Sequence, residues 1–314
     1  MIVVCGEALM DVFAEADTLT GVALDARIGG SPLNVAIGLA RLGQRAGFLG
    51  ALSRGFLGER IHRALDAEGV SLSYTKTLDA PTTLGLVGLN ASGSAAYAFY
   101  GHGCADRLLR ADHLPVLGDD VKALHFGSYT MVVEPVASTH RLLVEREHAS
   151  RVIAYDPNLR LNVEPDLVRW IDTVAWMAQR VHLLKVSSED LELLRPGVPI
   201  QQVVGEWLQQ GVSVVVVTLG SNGALGFTRS DSIHVDVHPV GIVVDTVGAG
   251  DTFQAALLTS LAEQGLLTIE ALAALTAPRL KEALEFAAAA AAITCTRRGA
   301  DMPRRGDLPP QARP

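Results

Sequence analysis

Short apolar runs rich in β-branched residues alternate along the chain with longer stretches rich in alanine and leucine. The runs lack the polar alternation of a half-exposed strand, which is typical of strands that are buried on both faces. Strands that alternate with helices predict a parallel sheet with helices on both sides. The predicted strands are Ile2–Cys5, Ala46–Leu52, Ala123–Phe126, Val152–Tyr155, Val181–Leu184 and Val214–Leu219. The predicted helices are Pro32–Leu42, Leu57–Glu68, Val136–His148, Pro165–Gln179, Pro199–Gln209, Ala249–Glu263 and Leu280–Ile293.

Two segments, residues 11–28 and 82–103, interrupt this alternation. In the second segment Thr83–Asn90 and Ala95–Tyr100 have strand patterns, and residues 90–93 between them favour a tight turn. We interpret the two segments as a small sheet that projects from the core. An antiparallel extension of the sheet edge without a function is the alternative.

Composition and charge narrow the class of protein. The chain of 314 residues has 26 Lys and Arg against 34 Asp and Glu, a net charge of −8. This acidic balance argues against binding to nucleic acids or anionic membranes, which need a basic surface. The three cysteines show no pairing pattern, as in proteins of the reducing cytoplasm. The apolar stretches are too short for a membrane span, and the start of the chain lacks the basic region of a signal peptide. The Pro- and Arg-rich tail that begins at Pro303 is expected to be peripheral.

The strongest local signal is the motif VVDTVGAGDTFQAALL, Val243–Leu258. It predicts an apolar strand, a turn at Gly248-Ala249-Gly250 and a helix that begins near Asp251. The free N–H groups of such a turn and the positive end of the helix dipole favour an anion. Asp251 itself has two interpretations, either a helix cap or a general base that accepts a proton from an attacking hydroxyl. The spacing alone does not decide between them.

A second glycine-rich motif, GGSPLNVAIGLARLG, opens the first long helix. Ser31 is a candidate helix cap, and it is followed by a proline that suits the first helical turn. Capping leaves Gly29, Gly30 and Asn34 unexplained. Backbone access combined with one amide suits a polyhydroxylated ligand, whereas a satisfied amide at a helix start is the alternative for Asn34.

Three more predicted strands end in polar residues. These ends are YDPNLR (Tyr155–Arg160), LLKVSSED (Leu183–Asp190) and VTLGSNGALGF (Val217–Phe227). Ligands of open α/β sheets bind at the carboxyl ends of the strands. Arg160 and Lys185 would supply cations for phosphates at this edge, and Asp156 and Asp190 would supply carboxylates for a divalent metal.

Together these motifs resemble the ribokinase-like (PfkB-type) carbohydrate kinases, and among these most of all the bacterial fructokinases. The resemblance covers essentially the whole chain in family order and spacing, and VVDTVGAGDTF is its most specific motif. The other motifs that carry it are GEALMD, GGSPLNVAIGLARLG, FLGALSRGFLG, YDPNLR, KVSSED and VVVTLGSNGA. The resemblance implies an α/β fold, a three-layer α/β/α ribokinase-like core with a mostly parallel sheet plus a small β-sheet lid. Residues 1–314 would form a single kinase domain, with the lid formed by residues 11–28 and 82–103.

The resemblance also implies roles for individual residues. Asp251 would be the catalytic base, and the amides of Gly248, Ala249 and Gly250 would bind the transferred anion. The implied substrate-binding residues are Asp11, Gly29, Gly30, Asn34, Tyr100 and Arg160. The implied nucleotide-binding residues are Lys185, Ser187, Thr218, Gly220, Asn222, Gly223 and Gly250. The implied metal ligands are Asp190 for magnesium, through water, and Asp245 with the Val247 backbone for a monovalent cation, completed by the loop near residues 296–300.

The chain departs from the family pattern in three places. The family's Asn-x-x-Glu motif is represented by Ser187 and Asp190, and the shorter Asp190 would reach magnesium through water, which magnesium tolerates. Many relatives have arginine where Gly101 stands. Loss of that cation weakens the case for an acidic sugar, although the imidazole of His102 could partly substitute. GGSP in place of GGKG argues against ribokinase itself and against sugar-phosphate substrates.

The sequence therefore predicts a cytoplasmic ATP-dependent kinase that converts D-fructose to fructose 6-phosphate and uses ATP, Mg²⁺ and K⁺. Ribose, an aminoimidazole riboside or another nucleoside, and 2-keto-3-deoxygluconate stay open as acceptors. A non-catalytic sugar sensor is disfavoured because Asp251 and the glycines are present, and an NAD-binding oxidoreductase because the dinucleotide fingerprint is absent. The expected partners are the sugar and ATP, without nucleic acid or membrane. An apolar stripe in the lid segment would permit a homodimer through the lid sheet or would cover the substrate; it consists of Leu84, Leu86, Gly88, Ala96 and Ala98.

Overall fold

Residues 1–17, 19–89 and 95–308 are described by a computed structural model of the chain. The strands are β1 (Ile2–Cys5), β2 (Leu9–Asp17), β3 (Val22–Gly29), β4 (Ala46–Leu49), β5 (Ala51–Ser53), β6 (Lys76–Leu78), β7 (Leu84–Leu89), β8 (Ala95–Tyr100), β9 (Ala123–Gly127), β10 (Val152–Asp156), β11 (Leu183–Ser187), β12 (Val214–Thr218), β13 (Ala224–Phe227) and β14 (Ser232–Val235). The α-helices are α1 (Ser31–Arg41), α2 (Phe56–Ala67), α3 (Val136–Glu147), α4 (Leu167–Ala178), α5 (Ser188–Leu194), α6 (Ile200–Gln210), α7 (Ala249–Glu263), α8 (Ile269–Ala273) and α9 (Ala277–Cys295).

An eight-stranded sheet with the order β14-β13-β12-β11-β10-β9-β1-β4 lies at the centre. The strands from β12 to β4 are parallel, and β13 and β14 extend one edge antiparallel. Alternate residues of each strand enter different clusters of buried side chains. Val4 and Val216 pack with α1, α7 and α9 on one face, whereas Val3 and Val215 pack with α3, α4 and α6 on the other. The predicted three-layer α/β/α arrangement is confirmed.

Two predicted strands have different bounds in the structure. The predicted strand 46–52 divides into β4 and β5 at Gly50, where a Cβ would overlap the carbonyl oxygen of Gly6. Beyond that point β5 leaves the central sheet and pairs with β6. The predicted strand 181–184 is observed as β11, which places Lys185 inside a buried strand because its ammonium has an ion-pair partner there.

In the described ranges, no helix has the length and apolar character needed to cross a bilayer.

The segments 11–28 and 82–103 contribute to a second sheet with the order β3-β2-β7-β8. Strand β2 pairs antiparallel with β3 and parallel with β7, and this pairing joins the two segments. The prediction of one small sheet is confirmed, whereas the turn at residues 90–93 lies outside the described residues. Strand β3 ends at Gly29 and α1 begins at Ser31, so one residue connects this sheet to the core on that side.

Close packing of α1 against α7 depends on Gly38. A Cβ at this position would lie 2.8 Å from the Ala255 Cβ on α7 and 2.7 Å from the Met302 sulfur. Met302 and the following Pro303 are buried, and Arg304 lies 3.1 Å from Glu68. In the described part of the tail Pro303 and Leu308 are buried, whereas Arg304, Gly306 and Asp307 are exposed. The expectation of a peripheral tail therefore holds for its polar residues and is wrong for the two apolar ones.

The prediction for this contact compares two glycines in helix interiors. Gly38→Ala should lower the free energy of unfolding, because overpacking costs about 1–3 kcal/mol and outweighs the helix-propensity gain of about 1 kcal/mol. A methyl group added at Gly205 in α6 would have no atom within 4 Å, so Gly205→Ala should stabilise the protein. Urea unfolding of both variants measures the difference, and an equal gain in stability for both would contradict the proposed contact.

Candidate active site

Asp251 lies in the first turn of α7 with its side chain almost fully buried. The cap position of this helix is Gly248, whose φ of 78° is in the left-handed region that favours glycine. The Asp251 carboxylate accepts hydrogen bonds from the Ser31 hydroxyl at 2.6 Å and from the Asn34 amide at 2.8 Å. Its oxygens thus bind α1 rather than the start of their own helix. This geometry argues against the capping interpretation of Asp251.

The prediction that Ser31 caps α1 is wrong. Gly30 occupies the cap position, and Ser31 is the first residue of the helix. The start of α1 faces the start of α7, which directs the Ser31 hydroxyl to Asp251. Asn34 lies one turn further along and is satisfied by the same carboxylate. Two helix N-termini therefore meet at one acidic side chain.

Three glycines allow the sheet formed by β3, β2, β7 and β8 to approach the start of α1. A Cβ at Gly30, whose φ is 111°, would lie 2.9 Å from the Glu7 carbonyl oxygen. A Cβ at Gly29 would overlap the carboxylate of Asp11, and one at Gly85 would lie 3.0 Å from it. Asp11 can therefore project from β2 only because its neighbours on both sides lack side chains.

Asp11 shares its surroundings with Arg160 and Asp251. Burial raises the pKa of Asp11 to about 6, the Arg160 cation opposes this rise and the Asp251 carboxylate adds to it. Arg160 follows β10 and donates to the backbone carbonyl of Leu159 at 2.9 Å. The three predicted site residues Asp11, Arg160 and Asp251 are thus close enough to interact electrostatically, although they come from three separate parts of the chain.

Lys185 and Asp156 form a buried ion pair. Their side chains are 5% and 4% exposed, and the Lys185 Nζ donates to the Asp156 Oδ2 at 2.7 Å. Burial raises the pKa of Asp156, and the Lys185 ammonium acts against this. The ammonium also lies 3.3 Å from where a Cβ of Gly250 would be, so it reaches the N-terminal turn of α7. A fixed cation thus stands beside the predicted anion-binding amides.

Asp190 and Ser187 lie at the start of α5. The Ser187 hydroxyl caps this helix by accepting from the Asp190 amide at 3.0 Å. The Asp190 carboxylate accepts from the Leu159 amide at 3.3 Å, which ties α5 to the loop after β10. Burial and the Asp156 carboxylate raise the pKa of Asp190 to about 6. The predicted nucleotide residue Ser187 therefore has a structural contact, and Asp190 lies beside the charged cluster.

The remaining predicted nucleotide residues lie at the turn between β12 and β13. Thr218 ends β12 opposite Ser187, which places this turn beside the start of α5. Gly220 and Asn222 are exposed. Gly223 has a φ of 82°, and a Cβ there would overlap the Val235 carbonyl oxygen, so the turn requires glycine. These residues form an exposed surface next to the charged cluster of Lys185, Asp156 and Asp190, and they are not part of that cluster.

The loop of Asp245 packs on the loop that follows α9. Asp245 accepts hydrogen bonds from the Val247 amide at 3.1 Å and from the Gly299 amide at 2.8 Å. The two loops that were predicted to share a monovalent cation are therefore in contact. The apolar strand predicted before Gly248 is wrong: residues 242–246 form no strand, and Ile242 is 84% exposed. The chain leaves the sheet after β14, so these apolar residues have no neighbouring strand with which to pair.

Tyr100, which was predicted to bind substrate, ends β8 with its side chain 60% exposed. Beside it the space at Gly101 is filled by Arg107, whose guanidinium a Cβ at Gly101 would overlap. A cation is thus present where the sequence indicated that one had been lost. Sequence reasoning missed Arg107 because it comes from a later turn of the chain.

The family is decided by comparison with known proteins. A family model described as pfkB family carbohydrate kinase matches residues 1–305. The chain belongs to this family. It is 38% identical over 275 residues to a fructokinase of Rhizobium leguminosarum bv. trifolii, which covers 88% of this chain and 84% of the relative. It is 35% identical to the probable fructokinase-4 of Arabidopsis thaliana, over 96% of this chain and 92% of the relative.

Solved structures give the same result for this pfkB family member. A crystal structure of fructokinase with bound ATP from Xylella fastidiosa aligns with a TM-score of 0.85 and 26% identity. The alignment covers 98% of this chain and 94% of the other. The resemblance to ribokinase-like carbohydrate kinases is therefore confirmed along nearly the whole length of the chain.

Glu7 is a buried acid of this family member that sequence reasoning left without a role. It is 1% exposed and accepts a hydrogen bond from the Thr130 hydroxyl at 3.3 Å. Burial raises the pKa of Glu7 to about 8, a hydrogen bond with Ser128 opposes this, and the Asp106 carboxylate adds to it. The side chain is therefore protonated at neutral pH, in the connection between β1 and β2.

This shift predicts the pH dependence of stability. The folded protein keeps a proton on Glu7 that the unfolded chain releases near pH 4.5. The contribution of neutral Glu7 to the free energy of unfolding is therefore full at low pH. It is lost as pH rises toward about 8, at up to roughly 1.4 kcal/mol per pH unit. Glu7→Gln should remove this slope, so that the variant gains stability relative to the wild type between pH 5 and 8. Urea unfolding at each pH measures this, with the exposed Glu59→Gln as control, and parallel curves for wild type and Glu7→Gln would contradict it.

Proposed function

We propose that the protein is an ATP-dependent sugar kinase that transfers the γ-phosphoryl group to D-fructose and forms fructose 6-phosphate. The observation that carries this proposal is the position of Asp251, held by Ser31 and Asn34 at the N-terminus of α7 beside the Lys185 ammonium. The fructokinase names of the most similar relatives support the choice of acceptor. The bound ATP of the Xylella fastidiosa structure supports the choice of donor.

The residues present fit a nucleotide with its metal. The amides of Gly248, Ala249 and Gly250 open α7 with the positive end of its dipole, and Lys185 adds a full charge beside them. The rest of the nucleotide would contact the turn between β12 and β13, through Thr218, Gly220, Asn222 and Gly223. Ser187 would hold the start of α5 beside it. Asp190 would hold Mg²⁺ through water, which suits an ion that keeps most of its ligands as water and phosphate oxygens.

Bound ATP supplies the phosphoryl group, and the residues supply position and charge. Phosphoryl transfer has a loose transition state, so alignment and charge neutralisation contribute most of the catalysis. Asp251 would accept the proton of the attacking hydroxyl, with its carboxylate oriented by Ser31 and Asn34. The amides of residues 248–250 and the Lys185 ammonium would meet the charge that develops on the transferred group.

The sugar would lie between the start of α1 and the sheet of β3, β2, β7 and β8. The proposed contacts are Asp11, Gly29, Gly30, Asn34, Tyr100 and Arg160. This sheet, formed by residues 11–28 and 82–103 of one kinase domain, would act as a lid that excludes water and suppresses ATP hydrolysis.

Asp245 and the Val247 backbone would bind K⁺ together with the loop of residues 296–300. Asp245 already joins these two loops through the amides of Val247 and Gly299, and its carboxylate keeps lone pairs for a cation. A cation here would fix the turn that leads into Gly248. The anion-binding amides would then be ordered before substrate binds.

The proposal extends to partners and location. The partners would be sugar and ATP in the cytoplasm, without nucleic acid or membrane, as the net charge of −8 favours. A homodimer through the lid sheet stays a prediction. Leu84 and Leu86 of the apolar stripe pack partly against the core, whereas Ala98 is exposed.

The acceptor is tested by ADP release with Mg·ATP across fructose, ribose, glucose, 2-keto-3-deoxygluconate, adenosine and an aminoimidazole riboside. We expect selective turnover of fructose. Selective turnover of another acceptor would refute fructose and keep the kinase. Folded protein that releases no ADP with any of them would favour the non-catalytic sensor.

The role of Asp251 is tested by Asp251→Asn, which keeps the shape of the side chain and removes its basicity. Turnover should fall about 10²–10⁴-fold, the usual range for the loss of a general base. ATP affinity should stay near that of the wild type and the melting temperature should fall only slightly, because the new amide oxygen can accept from Asn34 while its NH2 group donates to the Ser31 hydroxyl. Asp172→Asn on the exposed face of α4 is the control. Near-normal turnover of Asp251→Asn would remove this residue from its proposed role.

A further inference from the structure

The side chain of Arg107 lies on the backbone at the end of β8. A Cβ placed on Gly101 would overlap the Arg107 guanidinium, with Nε 2.6 Å away. Gly101 is buried and has no left-handed φ, so its backbone would accept alanine. The guanidinium can therefore lie here because position 101 has no side chain.

The guanidinium has unused donors. Among the side chains that the structure describes, none accepts a hydrogen bond from Arg107 or forms an ion pair with it, and its buried Nε has no acceptor. It contacts the ring of Tyr129, with Cζ 5.1 Å from the centroid. Arg107 is half-buried, and only its Nε is buried without a partner, so its two Nη groups are accessible donors. These Nη donors are thus available to oxygen atoms of a ligand.

Arg107 is held in place by its neighbour in sequence. The buried carboxylate of Asp106 accepts hydrogen bonds from Thr83, at the start of β7, and from the Tyr129 hydroxyl at 2.7 Å. These bonds fix the short 3₁₀ turn of residues 105–107 against the sheet. The guanidinium is therefore pre-positioned on a fixed turn, which reduces the entropy lost when it binds.

A line of packed side chains leads from Arg107 to Asp11. The Tyr129 ring meets the Phe99 ring edge-on at 5.9 Å, and Phe99 lies 3.2 Å from where a Cβ of Gly85 would be. Asp11 lies on the other side of that same position, 3.0 Å away. Asp11, Gly85 and Phe99 are cross-strand neighbours, and position 101 lies two residues beyond Phe99. The guanidinium at position 101 therefore lies on the face of the sheet that carries Asp11, with Gly85 and Phe99 between them.

We propose that Arg107 is a specificity-determining residue whose guanidinium donates hydrogen bonds to the oxygens at C1 and C2 of fructose. This rests on the proposed function, in which the C6 hydroxyl lies at Asp251 and C1 and C2 are at the remote end of the sugar. At this place the cation comes from Arg107 and not from a longer side chain at position 101. The pocket thereby recognises both ends of the sugar, one through Asp251 and the other through Arg107.

The test uses Arg107→Gln with fructose and with 1-deoxy-D-fructose, which lacks the C1 oxygen. Calorimetry measures the affinity of each sugar without nucleotide, and ADP release gives kcat and KM. Arg107→Gln should weaken fructose binding about 10- to 100-fold, the range for hydrogen bonds to a charged group. The KM should rise while kcat changes little, and the loss should be much smaller with 1-deoxy-D-fructose. Equal losses for both sugars, or an unchanged fructose affinity, would overturn the proposal.

Two further variants separate this role from a structural one. Arg110→Gln makes the same charge change on an exposed residue of the same loop and should keep the affinity of the wild type. Gly101→Ala should displace the guanidinium and reproduce the loss, with no further loss in the double variant. Losses that add in the double variant would overturn the proposed placement. Wild-type protein that binds fructose without phosphorylating it would refute the proposed function alone, and protein that does neither would refute both.

Discussion

The carboxylate of Asp251 lies between the N-terminal turns of α1 and α7, and the rest of the site depends on this contact. Both turns carry the positive end of a helix dipole, so a negative charge between them stabilises their approach. Asp251 supplies that charge and accepts from Ser31 and Asn34. The same positive surroundings favour a phosphoryl group once it arrives. One side chain thus stabilises the contact between α1 and α7 in the free protein and would act as the base during the reaction.

Small residues make this contact possible. Gly38 lets α1 approach α7 to the distance at which the Ser31 hydroxyl reaches Asp251, and Gly29, Gly30 and Gly85 let Asp11 approach from the other sheet. Charged groups then lie in the space that the missing side chains of these glycines leave. The buried pair of Lys185 and Asp156 places a cation at the start of α7 without leaving it unpaired. The glycines thus determine where charges can lie, and the charges determine what can bind.

The sequence predicted most of the fold because the apolar runs and the helical spacing are strong local signals. Central strands such as β1 and β10 and helix α7 were found at or near their observed bounds. The failures have physical reasons. Ser31 was assigned to a cap because that is its usual local role, and only the approach of α7 gives its hydroxyl another partner. Lys185 was placed after its strand because its buried partner, Asp156, is distant in sequence. Arg107 could not be linked to Gly101, since no spacing rule connects a glycine at a strand end to the turn that follows. The roles proposed for the site residues rest on position and resemblance together.

The connection between β3 and α1 has a mechanical consequence. Strand β3 ends at Gly29 and the helix starts at Ser31, so Gly30 is a pivot one residue long. A rotation of the outer sheet that this single residue did not absorb would turn the first residues of α1, and with them the two donors that orient Asp251. A sheet swung away from the core would therefore pull on the base as well as expose it to water. Opening the pocket and misaligning its reactive group would be a single movement, and the enzyme would be competent only when closed around its sugar.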